Sequence, residues 1–187
     1  MHDDKVRLIA LLRLAYSGEK AAGYAYRGHW QSLSDLAERV RIEEIEQEEW
    51  HHRTLLGDML QTLNARPSRT REVRSGIIGK VLGFLCHWTG WLLPMYGAGR
   101  LESRNIREYE AAARFAFGCG RAEFVECLLE MAEVEWEHEH YFRAQVCRHR
   151  FARHIPLWRR PPPKAHIRES FRDQSQTSRT DLLSYRG

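Results

Sequence analysis

Two short stretches, EIEQEEWHH at residues 44–52 and EVEWEHEH at residues 133–140, indicate the fold of this chain. Together they hold four overlapping Glu-x-x-His pairs, where the composition of the chain predicts roughly one by chance. Residues three apart share a face of an α-helix, so each pair can present a carboxylate and an imidazole to one metal ion. Helical bundles that bind two iron or manganese ions use one such pair from each of two helices and a single Glu from each of the other two.

Hydrophobic residues recur with helical spacing in the rest of the chain, and no stretch alternates as a strand does. The spacing predicts four helices, over residues 4–30, 35–64, 100–117 and 121–149. The connection between the second and third helices begins basic and becomes apolar over residues 76–98. Because ferritin-like folds have one long crossover, we expect an all-α, ferritin-like four-helix bundle over residues 1–150, with a long apolar crossover between helices 2 and 3.

The charge of the chain is concentrated near its C-terminus. The net charge is +4, but residues 1–147 hold 19 basic and 22 acidic side chains, and residues 148–187 hold 10 and 3. Since the predicted bundle is mildly acidic, no nucleic-acid partner is expected. Residues 151–187, which include a Pro-Pro-Pro run, are predicted to form a basic, weakly ordered tail. No signal peptide is evident, which favours a cytoplasmic location.

Single carboxylates for a metal centre are expected on the first and third helices. Glu19 stands alone on an apolar stripe, where an unpaired carboxylate is costly to bury. Three carboxylates compete on the third helix, namely Glu102, Glu108 and Glu110. Glu110 shares its stripe with Ile106, so Glu110 is preferred and Glu108 is held in reserve.

The apolar stripe also selects one pair from each doubled cluster. Glu48 and His51 align with Ile45, whereas Glu135 and His138 align with the apolar residues of the fourth helix. Carboxylates together with imidazoles suit two iron ions, with manganese as the alternative metal. The predicted metal ligands are therefore Glu19, Glu48, His51, Glu110, Glu135 and His138. The competing interpretation, a solvated acidic surface, fits poorly because these residues interrupt the apolar stripe.

Four stretches of the chain resemble the demethoxyubiquinone hydroxylase family. In order they read SGEKAAGYAYRGHW (17–30), EQEEWHHRTLLGDML (46–60), KVLGFLCHWTGWLLPMYGAG (80–99) and EVEWEHEHYF (133–142). The resemblance implies that the six predicted ligands coincide with the iron ligands of the family. It also implies a di-iron monooxygenase of ubiquinone biosynthesis, which uses O₂ to hydroxylate a lipophilic, quinone-like substrate of the demethoxyubiquinone type.

The apolar crossover predicts contact with a membrane surface. Residues 76–98 contain Lys80, His87, Pro94 and several glycines, which argues against a membrane span. Trp88, Trp91 and Tyr96 are side chains that prefer membrane interfaces, so we expect monotopic, peripheral binding on the inner face of the cell membrane. The alternative interpretation is a crossover helix packed on the bundle or in a homodimer interface.

Further expectations concern the pocket and the source of electrons. Tyr16, Tyr24 and Tyr26 are candidates to line the substrate pocket. The sequence lacks a dinucleotide-binding fingerprint, so an external electron donor is expected. The alternative function is a ferritin-like protein that oxidises iron or reduces peroxide without a quinone substrate. A third class is an interaction protein with a structural metal site and a basic tail that binds a partner.

Overall fold

The computed structural model describes residues 2–173, and all regular secondary structure in this part of the chain is helical. The long helices are α1 (His2–Ser32), α2 (Leu36–Thr62), α3 (Arg69–Cys86), α4 (Leu92–Gly118) and α5 (Ala122–Arg148). A short 3-10 helix at Ala152–His154 follows, and residues 165–173 are again helical. The prediction of an all-α, ferritin-like bundle is confirmed, with α1, α2, α4 and α5 as the bundle and α3 within the crossover.

Side-chain capping sets the start of α2. The Asp35 side chain accepts a hydrogen bond from the backbone N–H of Glu38 at 2.9 Å and so caps the start of α2. The helix α4 begins at Leu92, eight residues before the predicted start of the third helix. Pro94 is tolerated there because the N–H groups of a first helical turn have no intrahelical partner to lose.

Each bundle helix buries a stripe whose members are alternately three and four residues apart. On α2 the stripe includes Ile42, Ile45, Glu49, His52 and Leu56. The apolar members form two clusters, and on every bundle helix the buried acidic residues of the stripe lie between the two. The bundle therefore has a polar layer in the middle of its hydrophobic core.

The helix α3 packs closely on α1 through glycines. A side-chain Cβ on Gly83 would lie 2.7 Å from the carbonyl oxygen of Tyr24, and one on Gly79 would overlap the backbone of Ala21. The opposite face of α3 exposes large apolar side chains, among them Phe84. No helix within residues 2–173 combines the length and hydrophobicity that a bilayer crossing requires.

Part of the predicted basic tail packs on the bundle. Ile167 is buried in the core cluster nearer the start of α5, and Arg168 pairs with Glu133 at 2.6 Å. The indole N–H of Trp158 donates to Glu139 of α5 at 2.7 Å. Residues 174–187 of the predicted tail lie outside the described residues.

Candidate metal centre

Six buried side chains converge in the polar layer of the bundle. They are Glu19 of α1, Glu49 and His52 of α2, Glu102 of α4, and Glu135 and His138 of α5. They form two groups of four residues, and within each group the potential ligand atoms lie within 4.8 Å of one another. Glu49 and Glu135 belong to both groups. Two donor sets that share two carboxylates suit a pair of neighbouring metal ions.

A hydrogen bond from outside the cluster orients His138. Its Nε2 lies 2.6 Å from Oε2 of Glu48, a carboxylate whose side chain is 40% exposed. Because a carboxylate can only accept, this bond assigns the ring proton to Nε2 and leaves the lone pair of Nδ1 available. Nδ1 is buried without a hydrogen bond and lies 3.3 Å from Oε1 of Glu49. The Nδ1 lone pair of His138 is therefore available to a metal ion.

Neutral hydrogen-bond donors hold the single carboxylates of α1 and α4. The hydroxyl of Tyr109 donates to Glu19, and the hydroxyl of Tyr26 donates to Glu102. The amide of Asn105 also donates to Oε2 of Glu102 at 2.8 Å. These bonds fix the carboxylates without bringing a positive charge into the centre.

The electrostatics of the cluster fit metal cations. Burial raises the pKa of Glu102, and it raises the pKa of Glu135 to about 8. Burial and then repulsion from Glu19 and Glu135 raise the pKa of Glu49. Both oxygens of Glu49 and one oxygen of Glu19 are buried without a hydrogen-bond partner among the described residues. Carboxylate oxygens and imidazoles are donors that iron and manganese accept, so the residues fit such ions.

The structure brings together three of the six residues predicted from the sequence, Glu19, Glu135 and His138. The other three predicted residues, Glu48, His51 and Glu110, lie outside the cluster, where Glu49, His52 and Glu102 stand instead.

On α2 the predicted register is displaced by one residue. Glu48 lies at the edge of the cluster as the partner of His138, and His51 is exposed. Leu36 and Val40, the apolar residues in the first turns of α2, are 73% and 47% exposed and so do not mark the buried face. The buried stripe starts at Ile42 and selects the neighbouring Glu-x-x-His pair.

On α4 the predicted carboxylate lies too far along the helix. Glu110 is eight residues beyond Glu102, about 12 Å along the axis, and is half-buried near Arg114. The reserve candidate, Glu108, accepts a hydrogen bond from Nε of Arg104 at 2.6 Å. The predicted helix began at residue 100, which placed Glu102 in its first turn, whereas α4 begins eight residues earlier and carries Glu102 into the bundle.

Of the three tyrosines predicted to line a pocket, Tyr26 alone contacts the cluster. Tyr16 packs under the Arg53 guanidinium, whose carbon lies 3.6 Å from the ring centre. Tyr24 packs edge-on against Trp50, with ring centres 5.3 Å apart. Both tyrosines thus hold helices together.

The aromatic residues predicted to contact a membrane lie in two different environments. Trp88 is 76% exposed at the turn after α3. Trp91 donates its indole N–H to Glu38 at 2.7 Å, and the hydroxyl of Tyr96 donates to the carbonyl of Pro156 at 2.7 Å. Trp91 and Tyr96 therefore pack against the protein, and Trp88 alone faces outward.

A groove between α1, α3 and α4 leads along the cluster. It consists of two adjoining cavities of about 270 and 400 Å³, which share the walls formed by Leu82 and Leu101. The smaller cavity reaches Glu19, and the larger reaches Tyr26 and His29. The larger cavity is lined mainly by apolar side chains, so the groove suits a lipophilic ligand.

Comparison with known proteins gives one match. A family model described as "Ubiquinone biosynthesis protein COQ7" matches residues 7–104, just over half of the chain. The matched region includes Glu19, Glu49, His52 and Glu102 of the cluster. Comparisons with curated proteins and with solved structures give no match.

Proposed function

This chain belongs to the family of ubiquinone biosynthesis protein COQ7, and from that membership we propose that it is a di-iron monooxygenase acting on a lipophilic, quinone-like substrate. The family gives the chain a role in ubiquinone biosynthesis at a hydroxylation step, and so makes it an enzyme. The observation that carries the finer proposal is the buried cluster, in which two donor groups share Glu49 and Glu135.

The six cluster residues would hold two iron ions, with manganese as the alternative metal. Glu19 and His52 would serve one ion, Glu102 and His138 the other, and the shared carboxylates would serve both. Bound iron supplies the activation of O₂ that an aromatic hydroxylation requires. The four carboxylates would offset the charge of two divalent cations.

Three residues around the cluster would orient its ligands, and the packing around the cluster would exclude water. Glu48 would fix the protonated nitrogen of His138, and Tyr26 and Tyr109 would hold Glu102 and Glu19 in place. The ligand residues are at most 3% exposed, so solvent reaches the centre poorly. Exclusion of water from the centre limits unproductive side reactions of activated O₂.

The groove would bind the substrate with its ring beside the cluster and its apolar chain between α1, α3 and α4. Two features support this assignment, namely the apolar lining and the direct contact of the smaller cavity with Glu19. Hydroxylation places one atom of O₂ on the ring and reduces the other to water, so an external donor must supply two electrons.

The outer face of α3 would contact the membrane in which such a substrate dissolves. Val81, Phe84 and Trp88 are at least half exposed there, and Arg69 and Arg71 at the start of α3 could meet anionic headgroups. A peripheral location on a membrane surface follows from this proposal. A homodimer packed through the same face stays the competing prediction.

Anaerobic loading with Fe(II), followed by ¹⁸O₂, a reductant and a prenylated methoxybenzoquinol, tests the proposal. We expect two irons per chain and a product that gains one ¹⁸O atom, detected by mass spectrometry. Glu49→Ala is the matched control and should give no product. Consumption of O₂ or peroxide with no oxygenated quinol would contradict the proposal and favour the ferritin-like alternative.

A further inference from the structure

One buried polar side chain that lines the groove has a ring nitrogen without a hydrogen-bond partner among the described residues. His29 of α1 is 2% exposed and lines the larger cavity. Its Nε2 is fully buried and has no hydrogen-bond partner within residues 2–173. Polar groups at this depth are normally paired, because an unpaired donor or acceptor loses its hydration without compensation.

The surroundings of His29 are apolar and keep the imidazole neutral. The ring stacks on Phe142 with ring centres 6.3 Å apart, and Leu85 and Leu93 line the same cavity. Burial lowers the pKa of His29 to about 4. A neutral imidazole offers one N–H donor and one acceptor, so His29 can pair with either a carbonyl or a hydroxyl group.

His29 lies one helical turn beyond Tyr26, which contacts the cluster. Tyr26 precedes it by three residues on the same helix, a rise of about 4.5 Å, and the hydroxyl of Tyr26 donates to Glu102. The larger cavity, which His29 lines, adjoins the smaller cavity that reaches Glu19, so a ligand in the groove can lie between His29 and the cluster.

We propose that His29 is a positioning residue that hydrogen-bonds a ring oxygen of the quinone or quinol and so orients the ring towards the metal centre. This inference rests on the proposed function, since it assigns the ligand class of the same groove. In the apolar groove the imidazole would discriminate between an oxygenated ring and a hydrocarbon ring of the same shape.

Equilibrium binding to the iron-loaded protein under argon tests the assignment with two ligands. One is a prenylated benzoquinone, and the other is a prenylbenzene of the same chain length without ring oxygens. His29→Leu should weaken quinone binding about threefold to tenfold, the effect of one neutral hydrogen bond, and should leave prenylbenzene binding unchanged or tighter. His29→Gln, which keeps a donor and an acceptor, should restore most of the quinone affinity.

Leu93→Ala is the matched control, because Leu93 lines the same cavity with a purely apolar side chain. It should weaken both ligands equally. In infrared spectra a carbonyl stretch of the bound quinone should be lowered in the wild type and return towards its free frequency in His29→Leu, a change that altered packing alone would not give.

The outcomes separate this inference from the proposed function. Equal weakening of both ligands by His29→Leu, or no weakening of either, would overturn the role of His29 and leave the proposed function standing. Failure of the wild-type protein to bind the quinone would overturn both.

Discussion

The middle of the bundle and the outer face of α3 both depart from the usual distribution of polarity. The first buries polar side chains, and the second exposes apolar ones. The bundle buries four carboxylates and two imidazoles at the centre of its core. The outer face of α3 exposes Val73, Ile77, Phe84 and other large apolar side chains to solvent. Buried charge and exposed apolar surface both raise the free energy of a protein standing alone. The two regions are therefore the places where we propose partners, a cation inside and an apolar phase outside.

The two regions depend on different parts of the chain. The inner cluster takes one or two residues from each of four helices, so its geometry depends on the register of the whole bundle. The outer face belongs to one helix, which glycines such as Gly79 and Gly83 hold against α1. A change in one region should therefore leave the other intact.

Substitution of the shared carboxylate should have the largest effect. Glu49→Ala removes a donor common to both groups and should abolish iron binding, and His52→Ala should remove at least one iron. His51→Ala and Glu110→Ala are the matched controls, because both residues lie outside the cluster. Elemental analysis of each purified variant measures the iron bound per chain. Loss of iron in the controls, with retention in the Glu49 and His52 variants, would mean that the register described here is wrong.

The inner cluster shows how much of the candidate site can be predicted from the sequence. The Glu-x-x-His pairs predict a helical bundle with a polar cluster, and on α5 Met131 and Phe142 allow one register, which selects the pair that lies in the cluster. On α2 apolar residues occur on two faces, and Leu36 and Leu56 favour different registers. Burial of Leu56 and exposure of Leu36 result from packing between helices, which one sequence does not specify.

A second limit of prediction concerns α4. A proline and several glycines made residues 92–99 resemble a loop, although Pro94 lies in a first turn and Gly99 gives room to Trp158. One signal in the sequence does indicate Glu102. Met95, Gly99, Glu102 and Ile106 follow one another in steps of three or four residues, as the members of one helical face do. The contact of Glu48 with His138 joins residues 90 apart, and no local pattern indicates it.

The pH dependence of the metal-free protein should show the second-largest effect. Burial raises the pKa of Glu135 from its ordinary value of 4.5 to about 8, so between these values the folded chain keeps a proton that the unfolded chain releases. Raising the pH through this window therefore favours unfolding, by about 1.4 kcal/mol per pH unit for one carboxyl group.

Thermal unfolding followed by circular dichroism measures this dependence. The melting temperature of the metal-free protein should fall from pH 5 to pH 8. Iron or manganese should raise the melting temperature most at the high end of this range, where protons no longer compete with the metal. A melting temperature that rises with pH in the absence of metal would contradict the electrostatic description of the inner region.

Removal of the carboxylate that orients His138 should have a smaller effect. Glu48→Ala deprives Nε2 of its acceptor and should weaken metal binding about tenfold to a hundredfold without abolishing it. Glu48→Gln should be milder, because its amide oxygen can accept the same hydrogen bond. Glu44→Ala, at an exposed position of α2, is the control. Competition with a calibrated chelator measures the affinity for the metal. Equal affinities for Glu48→Ala, Glu44→Ala and the wild type would show that Glu48 does not support metal binding.

Loss of one outward-facing aromatic side chain should have the smallest effect and should be confined to the outer region. Trp88→Ser removes a side chain that is 76% exposed, so it should leave folding and iron content unchanged. Binding to vesicles that contain anionic phospholipid should fall about tenfold, because burial of a large apolar side chain contributes roughly 1.5–3 kcal/mol. Leu36→Ser is the matched control, since Leu36 is 73% exposed and belongs to α2 and not to α3.

Co-sedimentation with vesicles distinguishes the two variants. Weaker binding in Trp88→Ser alone would separate the outer region from a general hydrophobic effect. Equal binding by both variants and the wild type would instead assign the exposed face of α3 to a second copy of the chain. In that case Trp88→Ser should shift the sedimentation coefficient towards that of a monomer, because the same apolar side chain would then be buried between two copies.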